Sequence, residues 1–356
     1  MRTILYVYFI IFVSLLVFCI KINAKNSKIR DNYFLIISFI LLGFVHIFKN
    51  PASVPDILEY IEGFKEIRQH DFHYWLSNTL VSLKAEKGYI ILNKIISSFT
   101  DNPFWLIFVT SIIILSGYFY SIRKYSPFVW LSVILYIMGP YAQSIYVLRQ
   151  HMAMSIVLYT YPFIIERKFW SYILISLLAF SMHQSAIVIL PLYFLYQIKN
   201  FKTLLVLGSC FIVFAVANTS YLVELFVQRF LSDYVYYLNG EESNWKVCAL
   251  LSSVLVMRVL IMKKAFLQEG IDRLLSLILS IGVSISFVGI GLPGISRLNM
   301  YYSSCFFLVI PNTLSHLKHI GIRRALAIAY LIFLLVFFIK TLQTGEIRSL
   351  TVDIFQ

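Results

Sequence analysis

Hydrophobic residues fill long windows of this chain, and polar residues collect in the short stretches between them. The windows lack the strict alternation of barrel strands, and a backbone inside lipid needs internal hydrogen-bond partners, so we predict helices. Apolar windows can be read at 4–20, 33–48, 104–120, 128–146, 152–165, 169–182, 186–196, 204–217, 247–262, 274–292, 299–316 and 325–342. This pattern predicts an all-α, polytopic integral membrane protein with about ten to twelve transmembrane helices.

Two stretches between the windows are long enough to hold structure of their own, 49–103 and 218–246. In the first, apolar residues recur at helical spacing over 56–67 and again over 81–99, which predicts amphipathic helices lying on the bilayer. No repeat, linker or low-complexity segment divides the sequence. We therefore expect residues 1–356 to form a single integral membrane domain with two large loops.

The composition agrees with a membrane protein, because 60% of the residues are hydrophobic and 13% are charged, with a mean hydropathy of +0.81. A net charge of +13 would suggest nucleic acid as a partner of a soluble protein. In a membrane protein it is the placement of the basic residues that matters, so we expect no nucleic-acid partner. The four cysteines stand in apolar windows without metal-type spacing and are interpreted as packing residues: Cys19, Cys210, Cys248 and Cys305.

Lysine and arginine cluster in the short connectors, which is typical of cytoplasmic loops. The basic connectors are 21–30, 123–124, 167–168, 199–202, 263–273 and 318–324. All of them are cytoplasmic only if the stretch 169–196 crosses twice or enters and leaves by the same face. Its limbs are short against the about 20 residues of a full crossing, so a re-entrant hairpin is one form it can take. This topology places the hairpin turn, both large loops and both termini outside.

Several polar residues from distant parts of the sequence fall on that outer face. Ionisable groups at the ends of apolar windows are costly, and their default interpretation is functional. The candidates are Arg149, Gln150, His183, Gln184, Ser185, Arg297, Asp56 and Glu86. Their convergence, more than any single residue, predicts a site on the outer face.

Each candidate also has a purely structural interpretation. Arg149 and Arg297 could anchor the chain to headgroup phosphates, and His183 with its polar neighbours could satisfy the backbone of a tight turn. Asp56 and Glu86 could be solvated charges on amphipathic helices. Tyr60 and Tyr301 are candidates for substrate contact. Tyrosine is also common at packing and interfacial positions, which is the structural interpretation of both residues.

Two motif matches carry no chemistry. The run GIGLPG at 289–294 matches a dinucleotide fingerprint, but it ends an apolar window and contains proline, so we predict a helix-breaking turn. His70 and His73 flank Asp71 without further spaced ligands, which is weak support for a metal site. We expect neither a metal nor a cofactor.

Five motifs occur in an order that resembles the EpsG-like family of bacterial O-antigen and exopolysaccharide polymerases, also called Wzy-type. They are DILEY at 56–60, EKGYIILNK at 86–94, VLRQHMAMSI at 147–156, LAFSMHQSAIVILPL at 178–192 and SRLNMYY at 296–302. The resemblance implies a glycosyltransferase at the outer face of the bacterial inner membrane. It implies that a growing glycan passes from undecaprenyl diphosphate onto the next lipid-linked repeat unit, as in lipopolysaccharide synthesis.

The candidate residues fit that chemistry on independent grounds. An acceptor hydroxyl must lose a proton while a diphosphate leaves with its charge stabilised. Guanidinium groups bind phosphate oxygens bidentately, which suits Arg149 and Arg297. His183 suits a general base, and Asp56 or Glu86 could instead take the proton or hold the acceptor. Contacts to sugar or phosphate are assigned to Gln150, Gln184, Ser185, Tyr60 and Tyr301.

The implied partners are an undecaprenyl-diphosphate-linked oligosaccharide, the bilayer, and a chain-length regulator and a flippase. Two other classes of function remain open: a membrane acyltransferase that modifies surface polysaccharide, and a flippase or transporter of lipid-linked oligosaccharide. A transporter is expected to line its interior with polar groups at several depths, whereas the candidates collect at one face, which favours an enzyme. An acyltransferase needs a path for its acyl donor, and no paired His-Asp motif within a span supports one.

Overall fold

The computed structural model describes residues 27–54, 56–71, 74, 85–200, 245–289 and 295–344. Within these ranges the regular structure is helical, as the apolar windows predict. Its helices are α1 Ser27–Ile47, α2 Ile57–Gln69, α3 Lys87–Phe99, α4 Phe104–Tyr125, α5 Val129–Tyr136, α6 Ala142–Ser144, α7 Leu148–Leu158, α8 Tyr161–Ile165, α9 Phe169–Met182, α10 Leu190–Gln197, α11 Trp245–Met262, α12 Ile271–Val288, α13 Ile295–Ser303, α14 Phe306–Ser315 and α15 Ile320–Thr344.

Among the described residues, four helical segments are long and apolar enough to cross a membrane: Lys28–Ile47, Phe104–Tyr125, Trp245–Met262 and Ile271–Val288. The protein is thus an all-helical, polytopic membrane protein. The windows 4–20 and 204–217, and the second loop up to residue 244, lie outside the described residues. The total of about ten to twelve spans therefore stays a prediction.

Two predicted windows hold broken helices instead of continuous ones. In the window 128–146, α5 gives way to a π-helical turn, Ile137–Tyr141, which contains Pro140. The window 152–165 divides into α7 and α8, and Pro162 stands in the first turn of α8. Proline has no N–H to donate and its ring clashes with the preceding turn, so it interrupts a helix that hydropathy alone reads as continuous.

The first loop contains the two amphipathic helices that the sequence predicts, α2 and α3. The apolar face of α2 is buried at Ile57, Phe64 and Ile67. Lys94 of α3 donates hydrogen bonds to three carbonyl groups at the end of α2, at 2.6–3.3 Å. A cation at a helix C-terminus satisfies carbonyls that lack intrahelical partners and complements the helix dipole. The contact ties the two helices together.

The chain divides into two compact units, and the first contains Met1–Leu158, Ser181–His183 and Ala325–Gln356. Within it, α1 and α4 run antiparallel: the rings of Phe39 and Phe119 meet edge to face at 5.3 Å, and the ring of Phe48, just after α1, lies 5.7 Å from that of Phe104 at the start of α4. Helices α4 and α7 meet where Gly117 donates its backbone N–H to the Ser155 hydroxyl at 3.1 Å. A Cβ atom on Gly117 would lie 2.2 Å from the Ser155 carbonyl oxygen. Glycine at this position permits the close approach.

The second unit contains Tyr159–Phe180 and Gln184–Arg324, and its first part is a helical hairpin. The limbs are α9 and the segment Gln184–Gln197. Tyr172 of α9 donates its hydroxyl to the carbonyl of Ile189 at 2.6 Å, and the rings of Phe169 and Tyr193 lie 5.4 Å apart. The start of the first limb thus lies beside the end of the second. This confirms the hairpin predicted from the basic connectors, with its turn at His183.

The rest of the second unit packs around a buried arginine of α11. Arg258 is fully buried and donates hydrogen bonds to Ser276, Asn312, Thr313 and the Asp272 carbonyl at 2.7–2.9 Å. These partners lie on α12 and α14. The network satisfies a guanidinium group that would otherwise be costly inside a membrane protein.

Candidate functional site

Glu86 lies at the centre of a cluster of ionisable side chains in the first unit. It directly precedes α3 with an extended backbone, and its side chain does not cap that helix. One carboxylate oxygen lies 2.6 Å from Nδ1 of His183, and the other accepts a hydrogen bond from Nη1 of Arg149 at 2.9 Å. The exposed fractions of the side chains are 14% for Glu86, 22% for Arg149 and 10% for His183. Charges this sheltered interact more strongly than a surface pair does.

His183 reaches Glu86 because the hairpin turn packs tightly against the beginning of α3. A Cβ atom added to Gly88 would lie 2.3 Å from the Ser181 hydroxyl oxygen and 2.7 Å from the Ser181 carbonyl oxygen. Such distances are well inside van der Waals contact, so only glycine allows this approach. The glycine two residues after Glu86 therefore sets the distance between the carboxylate and the turn.

Arg149 enters the cluster from the first turn of α7, between two tyrosine rings. Its guanidinium carbon lies 5.9 Å from the ring centre of Tyr60 and 5.9 Å from that of Tyr89. The two rings are 6.1 Å apart in an edge-to-face arrangement. The Tyr60 hydroxyl also accepts a hydrogen bond from the guanidinium. Cation–π contacts and a hydrogen bond thus hold the planar group at a fixed angle to Glu86.

Both tyrosines remain neutral across the physiological range. Burial raises the pKa of the Tyr60 hydroxyl, Arg149 opposes the rise, and Asp56 adds to it. Burial also raises the pKa of Tyr89. A neutral phenol can donate or accept a hydrogen bond without bringing a second negative charge to the site. Glu86 is therefore the anionic partner of Arg149 in this cluster.

The arrangement of Glu86 and His183 has a defined chemical capacity. A carboxylate on Nδ1 fixes the orientation and tautomer of an imidazole. Proton exchange with a bound molecule would then occur at Nε2. The cluster therefore combines a group that can move one proton with a guanidinium that carries a permanent positive charge.

Asp56 and Gln150 are the remaining candidates in the first unit, and their structural positions differ. Asp56 is exposed and directly precedes α2 in a left-handed conformation with φ of 62°, without a capping hydrogen bond from its side chain. It acts on the cluster through its electrostatic effect on Tyr60. Left-handed geometry is accessible to aspartate at low cost. Gln150 is 1% exposed and follows Arg149 on α7.

The other four candidates belong to the second unit. Ser185 is fully buried and its hydroxyl lies 3.0 Å from the hydroxyl of Tyr301. This contact joins the second limb of the hairpin to α13. Gln184 begins the second limb and is half-buried, and Arg297 lies half-buried on α13.

Two residues of the cluster, Gly88 and Tyr89, were not predicted as site residues from the sequence. Tyr89 lies three positions after Glu86, so the start of an amphipathic helix offered a signal for a shared face. Gly88 had a weaker signal, since a glycine in the first turn of a helix has many explanations. Only the packing of Gly88 against Ser181 in the folded structure identifies this glycine as part of the site.

Potential metal-ligating residues do not cluster within the described ranges. These ranges hold no group of three or more His, Cys, Asp or Glu residues able to bind a metal ion. His70 stacks on Tyr74 at 4.4 Å, while His73 lies outside the described residues. Cys248 and Cys305 are buried free thiols, in keeping with packing roles, and Cys19 and Cys210 lie outside the described residues.

Comparison with known proteins identifies one family. The sequence model described as the EpsG family matches residues 32–350. No curated protein matches the chain, and no solved structure matches it. The matched range contains every residue of the Glu86 cluster.

Proposed function

Because the chain belongs to the EpsG family, we propose that it is an O-antigen or exopolysaccharide polymerase. Family membership and the apolar helices indicate a membrane protein of the polysaccharide-polymerase type. The finer proposal is that a growing glycan leaves undecaprenyl diphosphate and joins a lipid-linked repeat unit. The reaction takes place at the outer face of the bacterial inner membrane.

The observation that carries the proposal is the position of Glu86 between His183 and Arg149. Glycosyl transfer from a diphosphate requires one proton to leave the acceptor hydroxyl and negative charge to be stabilised on the leaving group. The cluster supplies an imidazole for the first task and a guanidinium for the second. Both are fixed by one carboxylate at 2.6 and 2.9 Å.

In the proposed step, the acceptor oxygen attacks the anomeric carbon as the bond between that carbon and the diphosphate oxygen breaks. The proton of the acceptor hydroxyl passes to Nε2 of His183. Glu86, on the opposite nitrogen, stabilises the imidazolium that forms. A carboxylate in this position orients the ring without taking the proton itself. His183 is then the base, and Glu86 is its positioning residue.

Arg149 has two tasks in this proposal. Its Nη1 atom donates a hydrogen bond to Glu86 at 2.9 Å, which holds the carboxylate in place beside His183. A guanidinium carries five N–H donors in a planar fork that matches phosphate oxygens. The second task proposed for Arg149 is to bind the oxygens of the diphosphate.

The second unit supplies the other proposed substrate contacts. Ser185 and Tyr301 present a pair of hydroxyl groups 3.0 Å apart, which suits a sugar or phosphate oxygen. Gln184 is proposed to orient a sugar or phosphate group, and Arg297 to bind phosphate.

In the first unit, Gln150 is proposed to orient the substrate beside Arg149. Asp56 is exposed at the start of α2, where it suits an acceptor hydroxyl better than the proton-transfer step.

Gene deletion followed by gel analysis of the surface polysaccharide tests the proposal. Loss of the polymerase leaves single repeat units in place of a ladder of chain lengths, and a plasmid copy carrying the wild-type gene restores the ladder. A copy carrying Glu86→Gln does not restore it. An unchanged ladder with altered acetylation would instead identify an acyltransferase, and loss of all lipid-linked units from the outer leaflet would identify a flippase.

A further inference from the structure

The two amphipathic helices of the first loop expose sides of opposite character. The exposed residues of α2 are mostly charged or polar: Leu58, Glu59, Glu62, Lys65, Arg68 and Gln69. On α3, by contrast, Ile95 is 54% and Phe99 87% exposed, and Ile91 and Leu92 beside them are half-buried. Residues four positions apart share one side of a helix. We call this side the exposed face of α3, formed by Ile91, Leu92, Ile95, Ser98 and Phe99.

The buried side of α3 is more polar than its exposed face. It comprises Gly88, Tyr89, Ile90, Asn93, Ile96 and Ser97. An amphipathic helix in water has the reverse order, with its apolar stripe on the core and its polar residues outside. Helix α2 follows that order, since Ile57, Phe64 and Ile67 are buried. The inverted order of α3 indicates that its exposed face meets lipid instead of water.

The polar groups on or near this face are satisfied within the protein. Ser98, the one polar residue of the face, donates its hydroxyl to the carbonyl of Ile95 at 2.6 Å. Lys94 is the only charged residue of α3 after Lys87, and its amine turns to the end of α2, where it donates to the carbonyl of His70 at 2.6 Å. A helix surrounded by hydrocarbon must satisfy its polar groups in this way. The exposed face of α3 therefore needs no water.

The exposed face leads directly to a helix that can cross the membrane. Phe99 ends α3, and after a short connector α4 begins, which is long and apolar enough for a span. Trp105, in the first turn of α4, is 46% exposed, and tryptophan is enriched where a span meets the headgroups. In the connector, Asp101 forms an exposed ion pair with Arg68 of α2 at 3.3 Å. The connector thus marks the membrane boundary, and the exposed face of α3 continues the apolar surface of α4.

The Glu86 cluster lies where these two helices meet. Tyr60 of α2 and Tyr89 of α3 both contact the guanidinium of Arg149, at 5.9 Å from each ring centre. Glu86 directly precedes α3. The cluster therefore has a helix with a charged exterior on one side and a helix with an apolar exterior on the other. A molecule with a hydrocarbon tail and a polar head requires surroundings of both kinds.

We propose that the exposed face of α3 binds the acyl chains of the bilayer, whereas α2 faces water. Of the two amphipathic helices, α3 alone then contacts the hydrocarbon, and the Glu86 cluster lies at the boundary between hydrocarbon and water. One consequence rests on the proposed function. The isoprenoid tail of a lipid-linked substrate approaches Arg149 along α3, and its glycan lies on the side of α2.

Spin labelling of the full-length protein tests the proposal, in nanodiscs of phosphatidylethanolamine and phosphatidylglycerol. Ile95→Cys and Phe99→Cys each carry a nitroxide, in a chain whose native cysteines are changed to serine. Power-saturation spectra compare collisions with oxygen, which concentrates in hydrocarbon, and with a water-soluble nickel chelate. We expect both labels to collide mainly with oxygen. Leu58→Cys is the matched control, because Leu58 is an aliphatic residue of α2 with a similar exposed fraction of 50%, and its label should collide mainly with nickel.

Three results would overturn the proposal. Nickel contact at positions 95 and 99 equal to that at position 58 would place α3 in water, and protection of both positions from both reagents would show that a protein partner covers them. Oxygen contact at position 58 equal to that at position 95 would place both helices in lipid. If Ile95→Cys does not fold, Phe99→Cys decides, because this residue ends the helix and is 87% exposed. The measurement involves no glycan transfer, so a failed polymerase assay and a failed lipid contact are distinguishable.

Discussion

The Glu86 carboxylate lies 2.6 Å from the Nδ1 atom of His183, although 97 positions separate the two residues in the sequence. The contact couples the start of an amphipathic helix to the turn of a membrane hairpin. A carboxylate and an imidazole at this distance share a proton-bearing hydrogen bond, so a change in either residue alters the other. The pair is thus expected to act as one unit in any reaction that moves a proton.

Substitutions at Glu86 and His183 test whether they act as a unit. Glu86→Gln removes the charge that stabilises an imidazolium, and His183→Asn removes the base. We expect each to lower glycan transfer by roughly 10²-fold or more, the range of general acid–base catalysis. The double variant should be within about threefold of the worse single variant, because residues that act together are not additive. Rates are measured with purified protein and a lipid-linked repeat unit.

An additive double variant would contradict the shared role, since independent residues contribute independent free energies. Glu62→Gln is the matched control, because it makes the same change at an exposed glutamate of α2 in the same unit. It should transfer glycan at the wild-type rate.

Arg149→Lys tests the geometry of the guanidinium apart from its charge. Lysine keeps the positive charge but loses the planar fork and the contacts with two tyrosine rings at 5.9 Å. We expect a decrease of about tenfold or more in transfer rate, because a point charge cannot hold Glu86 and a phosphate at once. A ladder of normal length at wild-type protein levels would refute this role. Arg68→Lys, at an exposed arginine paired with Asp101, serves as control.

Much of the fold and part of the cluster could be predicted from the sequence. Basic connectors required the hairpin, and the contacts of Phe169 and Tyr172 with the second limb confirm it. The cost of polar groups in apolar windows selected Arg149 and His183, and the structure places both on Glu86. The hairpin prediction succeeded because the placement of lysine and arginine is governed by the membrane itself. A shared function for Arg149, His183 and Glu86 stays a prediction, which rests on the cost of ionisable groups in apolar windows.

The remaining features of the fold and of the site depend on distances between residues, which a sequence does not contain. Nothing in the spacing of Glu86 shows that one carboxylate would contact two candidates at once. Hydropathy predicts continuous helices across Pro140 and Pro162, because an apolar window has the same composition whether or not its helix is interrupted.

Gly88→Ala tests the approach of the hairpin turn to α3. The new methyl group would lie 2.7 Å from the Ser181 carbonyl oxygen, so the turn must move and the distance from Glu86 to His183 must grow. We expect transfer to fall by roughly 10²-fold, as small displacements of catalytic groups have this effect. Adding Ser181→Ala should not restore activity, because the backbone oxygen remains. Gly321→Ala meets no atom within 4 Å and should behave as the wild type; an active Gly88→Ala would contradict the packing argument.

Cysteine labelling tests the proposed side of the membrane. Single cysteines replace Lys65 on α2 and Lys168 between α8 and α9, both exposed, in a chain whose four native cysteines are changed to serine. A membrane-impermeant maleimide applied to intact cells should label position 65, while position 168 should react only after permeabilisation. The opposite pattern would place the Glu86 cluster on the cytoplasmic side and contradict transfer at the outer leaflet.

Arg258 and Glu269 provide a contrast between a buried network and a surface ion pair within the second unit. Arg258→Met leaves the partners on α12 and α14 without their donor, and unsatisfied buried groups cost about 1–3 kcal/mol each. We expect a total loss of about 3 kcal/mol or more, seen as a Tm lower by several degrees. Glu269→Ala breaks an ion pair with Arg167 whose side chains are 45% and 62% exposed, and should cost less than about 1 kcal/mol. Thermal unfolding in detergent measures both, and a stable Arg258→Met would show that the network contributes specificity of packing instead of stability.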